Sequence, residues 1–442
     1  MNFFELVKSF NLLDNEFDKL SLNKRYSLIL ENFKPTEQAQ KSNAEFLTPI
    51  VLAQEMCDKI PTEFFTSPKS VFDPCCGKGV FPLVIYDLFW RYLPYEDPEE
   101  KRRVILEECL YFADINPFNV FITKYLLDPL NQYELNYYCG DTLALDIEEE
   151  FKSDGFDLVV GNPPYNKDST GTGNSIWQYF VDKAINEWLK SSGYLVFVHP
   201  AGWRKPESNK SKYKGLFKLM CKTNQLHYLE IHNIKDGIKT FNAGTRYDWY
   251  LLEKIQSYKN TDIKDEVGNL YNLDLSTWEW LPNYNHIEIK EILGNGCDII
   301  YDRSNYGSDK KHVSKKESDE FKYPLIHSTP KSGVRYMYSS KNNLGHFGIK
   351  KVIFGDSGIY NVIIDIEGKY GMTEHTMAIR VDNLEEATNL EKCLLSKKFK
   401  LVILDSCQWS NFQLDWRLFK SFKKDFWKDF IDEEIKEEIK EE

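Results

Sequence analysis

The sequence predicts an α/β protein whose larger part is a doubly wound, mainly parallel β-sheet. Two observations indicate this fold class. Short apolar runs alternate with helical patterns between residues 71 and 252, and repeated strand–helix units build parallel sheets. Several of these runs end abruptly in Gly, Pro or Asp, which places polar groups at the carboxyl ends of strands. Ligands bind at that edge of an open α/β sheet, so we expect the functional site there.

Composition predicts an ordinary globular protein, with 42% hydrophobic and 28% charged residues in a chain of 442. This length indicates at least two domains. No apolar run reaches membrane-spanning length, and the N-terminus lacks the basic and apolar regions of a signal peptide. Nine cysteines without a Cys-x-x-Cys pair argue against a disulfide framework or a zinc site. We therefore expect an intracellular protein with no metal site and no membrane contact.

The net charge of −12 disfavours a nucleic-acid partner, but the charge is unevenly distributed. Residues 202–222 contain seven Lys or Arg and one acid, and residues 303–351 contain eleven against four. Phosphate contacts are local, so such stretches can bind nucleic acid within an acidic protein. Composition alone leaves two interpretations open, a phosphate-binding surface and an ordinary solvated one.

The first 40 residues have the apolar spacing of helices, and we expect residues 1–43 to form an N-terminal helical segment. Phe46-Leu47-Thr48-Pro49 then precedes an amphipathic pattern from Val51 to Ile60. Thr48 followed by Pro49 is typical of a helix start, with a side-chain cap and proline in the first turn. From this local pattern, a helix cap is the simplest role for Thr48.

The first predicted strand, Val71-Phe72, runs into the turn Asp73-Pro74-Cys75-Cys76-Gly77-Lys78-Gly79 and then a helix. Glycine lets the backbone approach a ligand closely, and a helix N-terminus presents free N–H groups. The spacing matches neither Gly-x-Gly-x-x-Gly nor the phosphate-binding P-loop. Because an acid stands just before the turn, the site suits a positively charged ligand end better than a pyrophosphate.

The second and third predicted strands also end in acids. Leu110–Ala113 leads to Asp114, the position from which an acid takes ribose hydroxyls in dinucleotide-binding folds. Leu135–Tyr138 leads to Asp141 and Thr142. Acids at three successive strand ends need partners, and this arrangement predicts a nucleoside-binding site.

The fourth predicted strand, Phe156–Val160, ends in Gly161-Asn162-Pro163-Pro164-Tyr165. Gly-Asn-Pro-Pro is a strong strand breaker, so this segment is expected in a loop at the same edge of the sheet. The alternation then continues through predicted helices and strands at Ile176–Leu189, Gly193–Pro200, Lys212–Lys222, Leu226–Ile231 and Tyr247–Leu252.

Five segments together resemble the ordered motifs of gamma-class N6-adenine DNA methyltransferases of restriction-modification, phage or virus type. They are Phe46–Pro49, Asp73–Phe81, Ala113–Pro117, Gly140–Thr142 and Asn162–Tyr165. Their order, with the Thr-Pro element first, looks like the gamma class, and the resemblance covers residues 44–255. It implies a seven-stranded, Rossmann-like methyltransferase domain. Lys78 departs from the family pattern, where a small residue is commoner, which affects the expected shape of the turn.

The resemblance implies S-adenosyl-L-methionine as the cofactor. Thr48 and Asp73 would face its methionine end, and Gly77 and Gly79 would pass beside it. The expected cofactor site also includes Phe46, Cys75, Thr142 and Asn162.

At the nucleoside end, the resemblance implies that Asp114 holds the ribose hydroxyls. Ile115 would pack on the adenine face, and Asp141 would accept a hydrogen bond from the adenine amine.

The resemblance also implies the chemistry of the Asn-Pro-Pro-Tyr loop. The amine of a target adenine is a poor nucleophile, and the Asn162 side-chain oxygen and the Pro163 carbonyl would accept its hydrogens. Pro163 and Pro164 restrict the loop and so preorganise these acceptors. Duplex DNA hides the amine, so the base must be flipped out. Tyr165 and Phe241 are the expected rings on its two faces.

Residues 256–430 lose the strand–helix rhythm and contain the second basic stretch, so we expect a mixed α+β target-recognition domain. Residues 431–442 are predicted to be a charged C-terminal tail. Asp356 followed by Glu367-Gly368-Lys369 resembles a metal-dependent nuclease site, for which a β-hairpin with a charged turn is the simpler interpretation.

The resemblance implies a monomeric enzyme that acts on double-stranded DNA and is paired with a separate restriction endonuclease. The same loop also resembles that of RNA and protein-glutamine methyltransferases, and a bifunctional restriction-modification enzyme is a further alternative. The expected location is the bacterial cytoplasm, or the host cell for a phage- or virus-encoded enzyme.

Overall fold

The computed structural model describes residues 17, 19–32, 47–167, 174–409 and 414–431. The chain divides into two compact units. The first unit extends to Trp203 and includes Asn209–Glu279, and the second consists of Arg204–Ser208 and the chain from Trp280 onward. The division at residue 279 differs from the boundary expected at residue 255, because two further strands join the sheet of the first unit.

The first unit is built on a nine-stranded sheet with the order β3-β2-β1-β4-β5-β7-β6-β8-β9. The neighbouring strands from β3 to β5 pair in parallel, and β7 runs antiparallel to both β5 and β6. Its strands are β1 Val71–Asp73, β2 Leu110–Asp114, β3 Asn136–Cys139, β4 Phe156–Gly161, β5 Leu189–Pro200, β6 Gln225–His232, β7 Tyr247–Glu253, β8 Thr261–Lys264 and β9 Leu270–Leu273. The predicted doubly wound α/β class is confirmed, with two more strands than the seven expected.

The strand order reverses between β1 and β4, which pair in parallel with Phe72 opposite Val159. Such a reversal opens a crevice at the carboxyl ends of the two strands. Asp73 ends β1 and Gly161 ends β4, so the acid and the Asn-Pro-Pro-Tyr loop both start at this crevice.

The helices of the first unit follow the predicted alternation with some differences in extent. They are α1 Leu22–Asn32, α2 Ile50–Cys57, α3 Val80–Tyr92, α4 Pro98–Arg103, α5 Pro117–Leu127, α6 Ile147–Phe151, α7 Trp177–Lys183, α8 Leu216–Lys218 and α9 Ile234–Phe241. The helical segment predicted at 176–189 consists of α7 and a π-helical turn, Ala184–Trp188, that continues it. The segment predicted at 212–222 begins later, with α8, and also ends in a π-helical turn, Leu219–Thr223. Of the predicted N-terminal helical segment, α1 is described, and Phe46 lies outside the described residues.

The core of the first unit forms because its strands are apolar on both faces, as expected when helices cover a parallel sheet. All three residues of β1 are buried. The Phe72 ring stacks on Phe156 of β4, with centroids 4.7 Å apart, and meets the edge of Trp188. This packing fixes β1 beside β4 and therefore fixes the crevice at their ends.

The second unit contains two four-stranded sheets with the orders β10-β17-β14-β15 and β11-β13-β12-β16. Its strands are β10 Ile299–Ile300, β11 Val313–Ser314, β12 Tyr323–Ser328, β13 Arg335–Ser339, β14 Lys351–Gly355, β15 Ile363–Asp365, β16 Gly371–Met372 and β17 Thr376–Arg380. Its helices are α10 His286–Ile292, α11 Leu384–Leu395, α12 Lys397–Phe399, α13 Trp416–Lys420 and α14 Lys428–Ile431. This is the mixed α+β structure that the loss of strand–helix rhythm predicts.

Within the described part of the chain, no helix is both long enough and apolar enough to span a bilayer.

Candidate active site

A cavity of about 580 Å³ lies at the carboxyl ends of the first four strands. Its wall is made by the loops that follow β1, β2, β3 and β4, together with the segment before α2 and part of α7. The predicted site residues that line it are Thr48, Cys75, Gly77, Asp114, Ile115, Asp141, Thr142, Asn162, Pro163 and Pro164. The structure therefore brings together residues from all the motif segments that it describes.

Four predicted residues are not part of the cavity wall: Asp73, Gly79, Tyr165 and Phe241. Conversely, the motifs did not indicate Tyr26, Asn119, Tyr179 and Phe180, which do line it. These four lie on helices, where an aromatic or amide side chain follows the ordinary amphipathic pattern. No local signal in the sequence separates them from core residues.

Asp73 lies just behind the wall, with its carboxylate almost fully buried. Oδ1 accepts a hydrogen bond from the Cys75 backbone N–H at 3.1 Å, whereas Oδ2 is buried and has no hydrogen-bond partner among the described residues. Burial, with a smaller contribution from nearby Asp114, raises the pKa of Asp73 well above its usual range. A positively charged ligand group next to Oδ2 would favour the ionised form of Asp73 and so lower this pKa.

Asp114 joins two loops of the wall. Its Oδ2 accepts from the Gly77 backbone N–H at 2.9 Å, and its Oδ1 accepts from the Asn116 N–H at 2.8 Å. A carboxylate oxygen has more than one lone pair, so these bonds leave Asp114 able to accept from a ribose hydroxyl as well. Ile115 beside it is 70% exposed, an apolar side chain presented to the cavity.

The two glycines of the first turn serve different purposes. Both have positive φ, 52° at Gly77 and 84° at Gly79. A Cβ on Gly77 would meet nothing within 4 Å, but a Cβ on Gly79 would lie 3.1 Å from side-chain atoms of Leu126 and Thr123. Gly79 therefore allows α3 to pack closely on α5, and unlike Gly77 it is absent from the cavity wall.

The loop after β3 is held by short-range hydrogen bonds. Asp141 Oδ1 accepts from the Leu143 N–H at 3.0 Å, and the Thr142 hydroxyl donates to the Pro74 carbonyl at 2.9 Å. The second bond ties the β3 loop to the β1 loop. Asp141 and Thr142 both line the cavity wall, where Thr142 is joined to the loop that follows β1.

Asn162 begins the Asn-Pro-Pro-Tyr loop, and its side-chain Nδ2 donates to the Thr48 hydroxyl at 3.1 Å. Thr48 is not a helix cap, since α2 starts after Pro49 and no side chain caps it.

Gly161 approaches Asp73 so closely that a Cβ there would lie 2.9 Å from Asp73 Oδ1. Burial and the two nearby acids also raise the pKa of the Cys75 thiol, which keeps it protonated.

Tyr165 and Phe241 come from segments far apart in sequence and meet edge to face, with ring centroids 6.3 Å apart and planes at 79°. Both rings are buried. A flat base between two rings needs roughly parallel planes about 7 Å apart, twice the optimal carbon–carbon contact distance. The structure brings the two predicted rings together, in an arrangement that has to change before they hold a base.

The nuclease-like residues lie at opposite ends of a β-hairpin. β14 pairs antiparallel with β15, with Lys351 opposite Asp365, which confirms the predicted hairpin. Asp356 follows the last residue of β14, at the end of the hairpin where the chain connects the two strands. Glu367 and Lys369 follow the last residue of β15, at the opposite, open end. Five residues of strand separate the two ends by roughly 16 Å. Moreover, the described residues include no group of three His, Cys, Asp or Glu able to hold a metal ion.

Some charges of the two basic stretches serve the interior of the second unit. Arg204 is fully buried and donates to the Leu281 and Pro282 carbonyls and to Asn283. Lys351 is fully buried and pairs with Asp365 at 2.6 Å. Lys331 and Arg335, in contrast, are exposed. Charge counting therefore overstates the basic surface, because counting cannot separate buried from exposed cations.

Comparison with known families adds an independent finding. Residues 108–241 match the model of a family described as Eco57I restriction-modification methylase. This segment runs from β2 through α9 and contains Asp114, Asp141 and the Asn162–Tyr165 loop. The match shows that this segment, under a third of the chain, is similar to restriction-modification methylases. No curated protein matches the chain in sequence.

Several solved structures are similar in fold at low identity. One is a modification subunit ascribed to a type I restriction enzyme from Vibrio vulnificus YJ016 (16% identity, 55% of this chain and 52% of that one, TM-score 0.41). Another is the type IIL restriction-modification enzyme MmeI in complex with DNA (10%, 84% and 66%, TM-score 0.46). A third is the type IIG restriction endonuclease BpuSI (12%, 93% and 63%, TM-score 0.44). The chain spans about half the length of the Vibrio subunit.

Proposed function

We propose that this chain is a site-specific DNA adenine-N6 methyltransferase that uses S-adenosylmethionine. The observation that carries the proposal is the position of Asn162. Its side chain stands on the wall of the strand-end cavity, fastened to Thr48, immediately after the strand where the sheet order reverses. The family match over residues 108–241 supports a methylase, and the complete Asn-Pro-Pro-Tyr motif supports an amine as the methyl acceptor.

The cavity fits S-adenosylmethionine in size and in the chemistry of its wall. Its volume of about 580 Å³ lies within the usual range for cofactor sites. Asp114 and Asp141 offer carboxylates for the ribose hydroxyls and the adenine amine, and Ile115 offers an apolar face. The buried open oxygen of Asp73, directly behind the wall, favours the positively charged methionine end. When bound, the cofactor supplies a methyl group on a sulfonium.

The residues of the loop prepare the acceptor nitrogen. The Asn162 side-chain oxygen and the Pro163 carbonyl accept the two amine hydrogens, which favours a tetrahedral nitrogen with its lone pair directed at the methyl carbon. With the cofactor bound, transfer would form an N–C bond as the S–C bond breaks, and the nitrogen held by Asn162 and Pro163 would release one proton to solvent. Because the departing thioether is neutral, the site needs alignment more than a strong base. Thr48 contributes by holding the Asn162 amide in one orientation.

Access to the amine requires a flipped base. Extrusion costs a few kcal/mol, and stacking on an aromatic side chain returns about 1–3 kcal/mol per base. Tyr165 and Phe241 supply the two rings, which must rotate from their edge-to-face contact to admit the base. The second unit, with exposed Lys331 and Arg335 near the β12–β13 turn, is the proposed target-recognition domain.

The substrate class is tested by incubating the protein with methyl-labelled cofactor and, separately, duplex DNA, RNA or total cell protein. Label in DNA adenine supports the proposal, whereas label confined to RNA or protein overturns it. Asn162→Ala should reduce transfer at least a thousandfold while cofactor affinity changes little. Asn260→Ala, an exposed asparagine at the start of β8, is the control. If Asn162→Ala lost cofactor binding and Asn260→Ala did not, the role given to Asn162 would be contradicted.

A further inference from the structure

Helix α1 contributes a side chain to the wall of the cofactor cavity. Tyr26 lines the cavity and is only 3% exposed. Among the residues that the structure describes, every other residue of the wall comes from positions 47–180. Tyr26 also lies outside residues 108–241, the part of the chain that matches the methylase family. Neither the motifs nor the family match assigns a role to this helix.

Arg25, next to Tyr26, fastens α1 to the first unit. Its Nε donates to the Phe17 carbonyl at 3.0 Å, and its Nη1 donates to the carbonyl of Leu126 near the end of α5 at 3.3 Å. The Phe17 ring stacks on Tyr125 of α5, with centroids 4.8 Å apart. Ile29, one turn further along α1, is fully buried. α1 is therefore docked on α5 by both polar and apolar contacts.

The helix that supports α1 also supports the cofactor loops. α5 begins directly after Asp114, Ile115 and Asn116. In the middle of α5, the Thr123 hydroxyl donates to the Gly77 carbonyl at 3.3 Å. A shift of α1 on α5 would consequently move Tyr26 relative to both the acid loop and the glycine turn. Burial raises the pKa of Tyr26, so its phenol stays neutral.

We propose that α1 is part of the cofactor site, with Tyr26 as a wall that completes it, and that docking of α1 and cofactor binding stabilise each other. This inference rests on the proposed cofactor. A ligand that contacts Tyr26 binds the docked form better than the undocked one, so it shifts α1 toward docking. A change that loosens α1 lowers the fraction of molecules in the docked form, and the apparent affinity for the ligand falls in proportion to that fraction.

The inference is tested on the full-length chain with S-adenosylhomocysteine, by hydrogen exchange and titration calorimetry. Amides of residues 22–32 should exchange more slowly when the ligand is added, while those of α11 in the second unit should not change. Arg25→Ala, which removes a fastening contact without touching the cavity, should weaken binding about fivefold or more. Tyr26→Ala should weaken it at least as much, and Tyr26→Phe, which keeps the ring, should bind within about twofold of the unaltered protein.

Arg103→Ala is the matched control, an arginine whose partners are the half-buried Glu107 and the exposed Glu108. Unchanged affinity in both Arg25→Ala and Tyr26→Ala, together with unchanged exchange of residues 22–32, would overturn the inference and leave the proposed function intact. Failure of the unaltered protein to bind S-adenosylhomocysteine or S-adenosylmethionine would instead remove the proposed cofactor, and the inference with it.

Discussion

The side-chain amide of Asn162 donates a hydrogen bond to the hydroxyl of Thr48, with the two atoms 3.1 Å apart across 114 positions of the chain. Thr48 stands in the segment before α2, and Asn162 stands at the end of β4. An amide can present either its oxygen or its nitrogen to a substrate, and this contact commits the nitrogen to Thr48. The side-chain oxygen is then the end that can accept from a target amine.

Thr48→Val removes the acceptor for the Asn162 amide while keeping a similar volume. The net contribution of such a hydrogen bond is about 1 kcal/mol, which corresponds to roughly a fivefold lower rate of methyl transfer. Thr48→Ser retains a hydroxyl and should keep the rate within about twofold. Single-turnover kinetics measure the rate, and calorimetry measures cofactor affinity separately. A loss of rate in Thr48→Ser with none in Thr48→Val would show that the methyl group of Thr48, rather than its hydroxyl, matters.

The buried Asp73 carboxyl is expected to lower the unfolding free energy at neutral pH and to strengthen cofactor binding. Because its pKa in the folded protein is raised above the usual value of 3.8, folding favours the neutral form. The unfolding free energy therefore falls as pH increases from about 4 through the raised pKa, and stays level above it. Asp73→Asn cannot ionise, so it should be the more stable protein above that window, by about 1–3 kcal/mol, with little advantage near pH 4.

Urea unfolding of both proteins between pH 4 and pH 8 measures this difference, and calorimetry should show weaker cofactor binding by Asp73→Asn at neutral pH. Asp262→Asn, an exposed carboxylate on β8, serves as the control. A stability difference that does not vary with pH would contradict the assignment of this effect to the Asp73 carboxyl.

Phe241 is expected to hold one face of the flipped base. Phe241→Ala removes that face, so the fluorescence of 2-aminopurine at the target position should indicate less stable extrusion, and affinity for such DNA should fall about tenfold. Ile238→Ala on the same helix is the control, since Ile238 is 53% exposed. Equal effects of the two variants would point to general loosening of α9 instead of a contact with the base.

Substitutions of Lys331 and Lys351 should affect different properties: DNA binding for Lys331 and the stability of the fold for Lys351. Lys331 is exposed and lies over the Tyr360 ring, so Lys331→Ala should weaken DNA binding, reduce its salt dependence by about one phosphate contact, and leave unfolding unchanged. Lys351→Ala leaves Asp365 buried without its partner, and this should cost about 3–5 kcal/mol in unfolding free energy.

Salt-dependent fluorescence anisotropy and urea unfolding measure the two quantities for both variants. Both side chains of the Lys351–Asp365 pair are buried, which places the pair in the interior of the second unit. Burial lowers the pKa of Lys351, and pairing with Asp365 opposes this. A stable Lys351→Ala protein with reduced DNA affinity would contradict this division of roles.

The motif residues with a local signature were the ones that the sequence predicted well. Asp114 ends β2, Asp141 follows β3, and Asn162 follows β4, and all three line one cavity. Each stands at or within two residues of the end of a strand, and glycine precedes Asp141 and Asn162, so the strand ends can be read from the chain itself. The predicted roles of Gly79 and Thr48 were less accurate, because their environments are set by α5 and by the Asn162 loop.

The sequence by itself determined the alternation of strands and helices, the polar groups at the strand ends and the Asn-Pro-Pro-Tyr loop, since these follow from periodicity and turn chemistry. Only the tertiary structure decided that Thr48 holds Asn162, that Gly161 must be small beside Asp73, and that Tyr26 joins the cavity wall. It also decided that Lys351 is a buried ion-pair partner. These are contacts between residues distant in the chain, and packing in three dimensions selects them where no local pattern does.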